Sequence, residues 1–187
     1  TGDYIQGNSG SAVTITNNTV MITAADFSLV GTIDSGSGDI TLSNSTATGS
    51  IGLGAADEDF DVADAELDQI TTSGTLTVGG ANTTSIVVDG VTDPANIATF
   101  VLDATRNGAS VTTENGASTF NVLTANADDG ITVNADLATD NGDLVLDGDA
   151  DGAADSADRV AVGGGVTISA VGNLSVDATT NGVRLNG

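Results

Sequence analysis

The chain has 187 residues and a formal net charge of −23, which comes from 26 acidic and only 3 basic residues. A chain this acidic has no positive face, which excludes nucleic acid and anionic membranes as partners and makes cations the expected ones. Cysteine, histidine and lysine are absent, so disulfides and thiolate or imidazole metal sites are excluded as well. No run of about 18 apolar residues is present, so no membrane span is predicted.

The composition predicts an all-β protein with a narrow core. Hydrophobic residues make up 39% of the chain but aromatic residues only 3%, and the chain contains 25 Gly and one Pro. The abundant Gly, Thr, Ser, Asn and Asp favour turns and extended chain over helix interiors. The mean hydropathy of +0.13 argues against disorder. We therefore expect short strands joined by tight turns around small aliphatic side chains.

Taken in chain order, short apolar runs with a two-residue alternation predict strands that each have one buried face. They lie at 12–16, 20–23, 40–42, 50–53, 75–78, 85–88, 100–102, 120–123, 131–133, 144–146, 160–162, 166–168, 174–176 and 183–185. One short helical turn is predicted over 64–70, where Asp64 can act as the N-terminal cap and Leu67 and Ile70 share a face.

Internal copies predict a stack of equivalent turns. The sequence at 142–147 is repeated at 172–177, an offset of 30 residues, and more loosely at 38–43. The sequence at 130–135 is repeated at 165–170, an offset of 35 residues. We expect a parallel β-helix (β-solenoid) that forms a single elongated domain over 1–187, with 1–37 as a candidate N-terminal cap or assembly segment. Recurrent Asn-Gly pairs favour hairpins, so an antiparallel β-sandwich is the alternative.

Residues 147–158 match the spacing of an EF-hand calcium loop. Three Asp residues alternate at the start, Gly152 falls where the loop turns sharply, and Asp158 takes the last ligand position, which is usually Glu. Flanking helices are not predicted, so the loop would lie between strands. The motif predicts a bound Ca²⁺ whose ligands are Asp147, Asp149, Asp151, the Ala153 carbonyl, Asp155 and Asp158.

Several phrases resemble β-strand-repeat segments of large secreted bacterial surface proteins, the filamentous-haemagglutinin-like adhesins. The residues that carry the resemblance lie at 60–70, 74–79, 120–133 and 142–149, and it extends over about residues 38–187. The resemblance implies a right-handed parallel β-helix that serves as an extended stalk or adhesive fibre, and it brings no catalytic motif. The chain begins without Met and ends within the repeat pattern, which suggests a mature product or a piece of a longer protein.

These features together predict a structural, calcium-stabilised segment of an extracellular surface fibre, adhesin stalk or surface layer, and not an enzyme. Self-association into a filament, or contact with neighbouring repeats of the same polypeptide, is the expected partnership because the ends of a solenoid leave unpaired strand edges. One alternative is a polysaccharide-active β-helix enzyme, although His, Lys and Trp are absent. Another is an ice- or ligand-binding solenoid with outward Thr rows at 14–16 and 75–77.

Overall fold

The structure is a computed structural model that describes residues 2–92 and 94–186, and in that part the protein is all-β apart from one helical turn, α1 (Asp64–Leu67). The strands of the first half are β1 (Tyr4–Gln6), β2 (Ala12–Thr14), β3 (Val20–Ala24), β4 (Phe27–Leu29), β5 (Thr32–Asp34), β6 (Ile40–Asn44), β7 (Gly49–Gly54), β8 (Phe60–Ala63), β9 (Ile70–Gly79) and β10 (Thr83–Asp89). Those of the second half are β11 (Ile97–Ala104), β12 (Ser110–Thr113), β13 (Ser118–Phe120), β14 (Leu123–Ala127), β15 (Ile131–Val133), β16 (Leu137–Thr139), β17 (Leu144–Asp147), β18 (Val160–Val162), β19 (Ile168–Ala170), β20 (Leu174–Asp177) and β21 (Val183–Leu185).

From β11 onward the chain visits three sheets in a fixed order. Strands β11, β14, β17 and β20 are neighbours in one sheet, β12, β15, β18 and β21 in a second, and β13, β16 and β19 in a third. Each strand pairs in parallel with the strand three places later. Parallel neighbours cannot be joined by a tight hairpin, so the chain must travel through the other two sheets before it returns. Each turn of the chain therefore adds one strand to each sheet.

The first half follows the same parallel scheme with one irregular turn. Strand β9 is long enough to pair with β5 at its start, through Ile33 and Ile70, and with β6 at its end, through Leu42 and Val78. Strands β7 and β8 are consecutive and yet parallel neighbours. Strand β8, α1 and their connections lengthen this turn, so that the step from β6 to β9 is 36 residues, from Ile40 to Leu76.

The Asn-Gly pairs do not form hairpins, and the hairpin interpretation that supported an antiparallel sandwich is wrong for them. Asn107-Gly108, Asn115-Gly116, Asn141-Gly142 and Asn181-Gly182 each lie between strands that belong to different sheets. Asn115, Gly108 and Gly182 have positive φ, so these pairs supply left-handed backbone at corners of the turn. The strand pairings among the described residues are parallel.

One internal copy marks the true register and the other does not. Leu144 pairs with Leu174, which confirms the 30-residue offset between the phrases at 142–147 and 172–177. The copy at 130–135 and 165–170 is wrong as a register, because Ile131 pairs with Val160 and Ile168 pairs with Leu137. Register follows the inward-facing aliphatic residues of each sheet, and the second copy begins in the turn before β19 rather than at the start of a strand.

The helical turn is shorter than predicted. It ends at Leu67, and Ile70 opens β9, although both side chains are fully buried. Asp64 does not cap it, because the N-cap residue is Ala63 and the Asp64 carboxylate accepts the Thr92 N–H at 2.8 Å instead. The capping role falls to Glu66, whose Oε2 accepts the Ala63 N–H at 2.8 Å.

The core is made mainly of inward-facing Ile, Leu and Val, and it also holds all four Phe residues. The Phe100 and Phe120 rings meet edge to face with centroids 4.9 Å apart, and those of Phe27 and Phe60 lie 6.1 Å apart. Aromatic pairs of this kind add about 0.5–1.5 kcal/mol beyond the area that they bury.

The last turn of the structure leaves its inward-facing side chains uncovered. Leu174 lies in register with the fully buried Leu144, and Val183 with the fully buried Val160, yet they are 49% and 48% exposed. Leu185, in register with Val162, is 75% exposed. We call these three residues the apolar end face. Strands β20 and β21 lie at the edges of their sheets there.

Candidate metal centre

The acidic motif lies in a lengthened corner of one turn. The chain crosses from β14 to β15 through residues 128–130, whereas the equivalent crossing from β17 to β18 takes residues 148–159. Most of the additional residues belong to the predicted calcium loop. The loop therefore projects from a corner whose position is fixed by the strands on either side of it, Leu144–Asp147 and Val160–Val162.

Three carboxylates converge at this corner. One oxygen each of Asp128, Asp151 and Asp155 lies within 4.8 Å of the other two. Asp128 belongs to the preceding turn and is buried at 1% exposure, with its Oδ2 accepting the Gly108 N–H at 2.6 Å. Asp151 is exposed, and its Oδ1 accepts the Ala153 N–H at 2.7 Å.

Two more carboxylates lie buried beside this group. Asp149 is 5% exposed, and its Oδ2 accepts both the Thr180 N–H at 2.8 Å and the Thr180 hydroxyl at 2.7 Å. Asp158 is fully buried, and its Oδ2 accepts the Asp155 N–H. The second oxygens of Asp149, Asp158 and Asp155 are buried and have no hydrogen-bond partner. Buried oxygens without a partner are rare in proteins, because the lost hydration is not replaced.

The electrostatics of the site follow from this crowding. Burial raises the pKa of Asp128, although the Gly108 N–H opposes the shift, and the charges of Asp151 and Asp155 raise it further. Burial likewise raises the pKa of Asp155, followed by the charges of Asp158 and Asp151. The strongest influences on these two carboxyls include no arginine. The corner is thus a concentration of like charge that protons or a cation can neutralise.

The structure brings together four of the six residues that the loop motif predicted as ligands. Asp151 and Asp155 belong to the convergent group, and Asp149 and Asp158 lie next to it. Asp147 ends β17, where its Oδ1 accepts the Asp149 N–H at 3.2 Å. Ala153 is exposed and donates its N–H to Asp151.

Asp128 was missed because it lies outside the loop motif. The signal that could have found it is the register between turns: Asn126 pairs with Asp147, so Asp128 and Asp149, each two residues further along, stand at the same corner. Residues at equivalent corners of successive parallel turns stack about one strand spacing apart, ~4.8 Å. An alignment of turns, rather than a search for a contiguous motif, identifies this residue.

A second group of carboxyls, Asp26, Asp61 and Glu66, surrounds the entry to α1. Asp61 Oδ1 accepts the Glu58 N–H at 2.8 Å, Asp26 Oδ1 accepts the Asp61 N–H at 3.1 Å, and Glu66 Oε1 accepts the Leu29 N–H at 2.7 Å. Burial is the main cause that raises the pKa of both Asp61 and Glu66, and the charge of Asp26 adds to it. These carboxyls hold backbone N–H groups in place at the irregular turn.

The molecule also has an open polar cleft of about 520 Å³. Amides and hydroxyls predominate in its lining, which includes Asn17, Thr71, Ser73, Asn96, Asn121 and Asn141. Among residues 2–92 and 94–186, none of those that line the cleft is a carboxylate.

Comparison with protein-family models, with curated proteins and with solved structures finds no match to this chain. Within residues 2–92 and 94–186, no helix has the length and apolar character needed to cross a membrane.

Proposed function

We propose that this chain is a structural, calcium-stabilised segment of an extracellular surface fibre, adhesin stalk or surface layer, built as a right-handed parallel β-helix. The observation that carries the proposal is the cyclic pairing from β11 to β21, in which three successive turns, up to β19, each contribute one strand to each of three sheets and β20 and β21 begin a fourth. Repeated turns stacked in this way extend a protein in one direction, which suits a spacer or stalk.

The dimensions support a short rod. Seven strands in one sheet at a spacing of about 4.8 Å correspond to roughly 30 Å along the stacking direction. A useful stalk or fibre needs a longer rod than this. The proposed rod therefore continues either through neighbouring repeats of the same polypeptide or through other copies of the chain.

The apolar end face supports such a continuation. Leu174, Val183 and Leu185 occupy core register but are 49%, 48% and 75% exposed, and the edges of β20 and β21 offer unpaired backbone groups. An uncovered edge of this kind is a template for pairing with another strand. The next turn, from either source, would bury these side chains as β17 and β18 bury theirs.

Sedimentation velocity over a range of protein concentrations, together with negative-stain imaging, tests this proposal in the presence of calcium. We expect reversible end-to-end association that Leu185→Lys weakens, because the substitution places a charge on the apolar end face. Ala117→Lys is the matched control, since Ala117 is exposed but lies in the corner between β12 and β13, and β15 and β18 separate β12 from β21 at the end of its sheet. Compact particles with no elongation, or equal loss of association in both variants, would contradict the rod.

A further inference from the structure

We propose that a single Ca²⁺ site is built across successive turns, with Asp128 of one turn and Asp151 and Asp155 of the 148–159 crossing as its ligands, and with Asp149 and Asp158 as buried carboxylates that complete it. The inference rests on the calcium stabilisation in the proposed function and is independent of the fibre role. It differs from the EF-hand interpretation, in which every ligand comes from the contiguous segment 147–158 and Asp147 is the first.

The distances suit one calcium ion. Calcium binds oxygen ligands at about 2.3–2.6 Å, so two ligands on opposite sides of one ion are at most roughly 5 Å apart. The three convergent oxygens of Asp128, Asp151 and Asp155 lie within 4.8 Å of one another. Magnesium is the poorer candidate, because it demands near-ideal octahedral geometry at about 2.0–2.1 Å and usually keeps several of its waters, whereas calcium accepts flexible, carboxylate-rich coordination.

Independent support comes from oxygens that the protein buries and leaves unpaired. Asp158 is 0% exposed and Asp149 is 5% exposed, and each has one oxygen without a partner. Asp158 lies against the convergent group, because its other oxygen accepts the Asp155 N–H. A buried carboxylate oxygen that lacks a partner is unfavourable, and a coordinated cation removes that cost.

Further hydrogen bonds of these aspartates, and of the neighbouring Asp129, connect the site to the turns before and after it. Asp128 Oδ2 is held by the Gly108 N–H, and Asp129 Oδ1 accepts the Ala157 N–H at 2.8 Å. On the other side, Thr180 donates to Asp149, and the Asn181 N–H donates to the Asp158 carbonyl at 2.9 Å. Calcium bound here would therefore hold the lengthened corner against both neighbouring turns and stabilise the stack locally.

Isothermal titration calorimetry of chelator-treated protein with CaCl₂, and separately with MgCl₂, tests the site. Asp128→Asn keeps an oxygen for the Gly108 N–H but removes the charge. It should weaken Ca²⁺ binding at least about tenfold and reduce the Ca²⁺-dependent rise in melting temperature. Asp155→Asn should do the same. The matched controls Asp147→Asn and Asp140→Asn should bind within about threefold of the unsubstituted protein.

The outcomes separate the possibilities. If Asp147→Asn abolishes binding while Asp128→Asn does not, the contiguous EF-hand loop is the site and the cross-turn site is wrong. If the unsubstituted protein binds no Ca²⁺, both this site and the calcium part of the proposed function are wrong. The rod is tested separately, by sedimentation velocity. Tighter binding of Mg²⁺ than of Ca²⁺ would also overturn the inference. Far-UV circular dichroism in chelator verifies that each variant folds.

Discussion

Replacement of Gly79 by Ala tests how closely successive turns stack. Gly79 ends β9 with φ +120°, and a Cβ at this position would collide with the carbonyl oxygen of Asp103, its partner in β11. Gly80 is the matched control, since its φ is +134° but a Cβ there meets nothing within 4 Å. Both substitutions carry the backbone strain of an L residue at positive φ, about 1–3 kcal/mol.

Only Gly79→Ala adds the steric collision between turns. Relief of the overlap must displace the Asp103 carbonyl, which also accepts the Gly80 N–H at 2.8 Å. Overpacking costs about 1–3 kcal/mol, and the weakened hydrogen bond adds about 0.5–1.5 kcal/mol. We therefore expect Gly79→Ala to lower the free energy of unfolding by roughly 2–4 kcal/mol more than Gly80→Ala does.

Urea and thermal unfolding followed by far-UV circular dichroism, at fixed salt and in chelator, measure this difference. For a chain of this length, the expected gap corresponds to roughly 5–15 °C in melting temperature. Equal destabilisation by the two substitutions, within about 0.5 kcal/mol, would refute the close approach of β9 and β11.

Two further predictions concern the core and the acidic groups. Phe100→Ala and Phe120→Ala should each cost about 3–5 kcal/mol in urea unfolding, and a double-mutant cycle should give a coupling of about 0.5–1.5 kcal/mol; additive losses would contradict the edge-to-face contact. In chelator, the melting temperature by calorimetry should rise as the pH is lowered from neutrality towards the ordinary pKa range of Asp and Glu. The reason is that Asp61, Glu66, Asp128 and Asp155 have raised pKa values. On acidification the folded state therefore takes up protons before the unfolded chain does, and this proton uptake stabilises the folded state. The added stability is lost again as the pH rises through the raised pKa values. A melting temperature that falls steadily on acidification in chelator would contradict this sign.

Most of the predicted strands exist because each carries its own local signal, but β4, β5, β12 and β16 were not predicted, and the run predicted at 120–123 crosses the corner between β13 and β14. Val160-Ala161-Val162 and Leu144-Val145-Leu146 alternate inward and outward residues, and the structure buries the inward ones as the two-residue period requires. The parallel pairing of β17 with β20 could also be predicted, because the two strands have similar sequences, including the corner residues directly before them.

The irregular turn could not be predicted from local pattern. Leu67 and Ile70 have helical spacing, but the neighbouring β5 offers Ile70 a strand partner in Ile33, and that tertiary pairing ends α1 early. The capping role of Glu66 is likewise decided by a distant contact, since its other oxygen accepts the Leu29 N–H. Such competition between local propensity and tertiary contacts is normal for short helices.

Only part of the candidate metal centre could be predicted from the sequence, for a related reason. The spacing of Asp149, Asp151, Asp155 and Asp158 is visible in the sequence, because these residues belong to one segment. Asp128 reaches the candidate metal centre only because successive turns stack. That stacking depends on the lengths of all the intervening corners. A ligand contributed by a neighbouring turn leaves no contiguous motif.

The account depends most on successive turns stacking in one direction, and spin-label distances measure this directly. Met21, Thr77 and Ser175 lie on one outward-facing row of paired residues. Met21 is two strand pairings away from Thr77, and Thr77 is four strand pairings away from Ser175. The chain has no native cysteine, so paired Cys substitutions can be labelled cleanly. Double electron–electron resonance should give roughly 19 Å for Thr77 to Ser175 and roughly 29 Å for Met21 to Ser175, at about 4.8 Å per turn and broadened by the label linkers. Equal distances for the two pairs, or a shorter one for Met21 to Ser175, would contradict the stack.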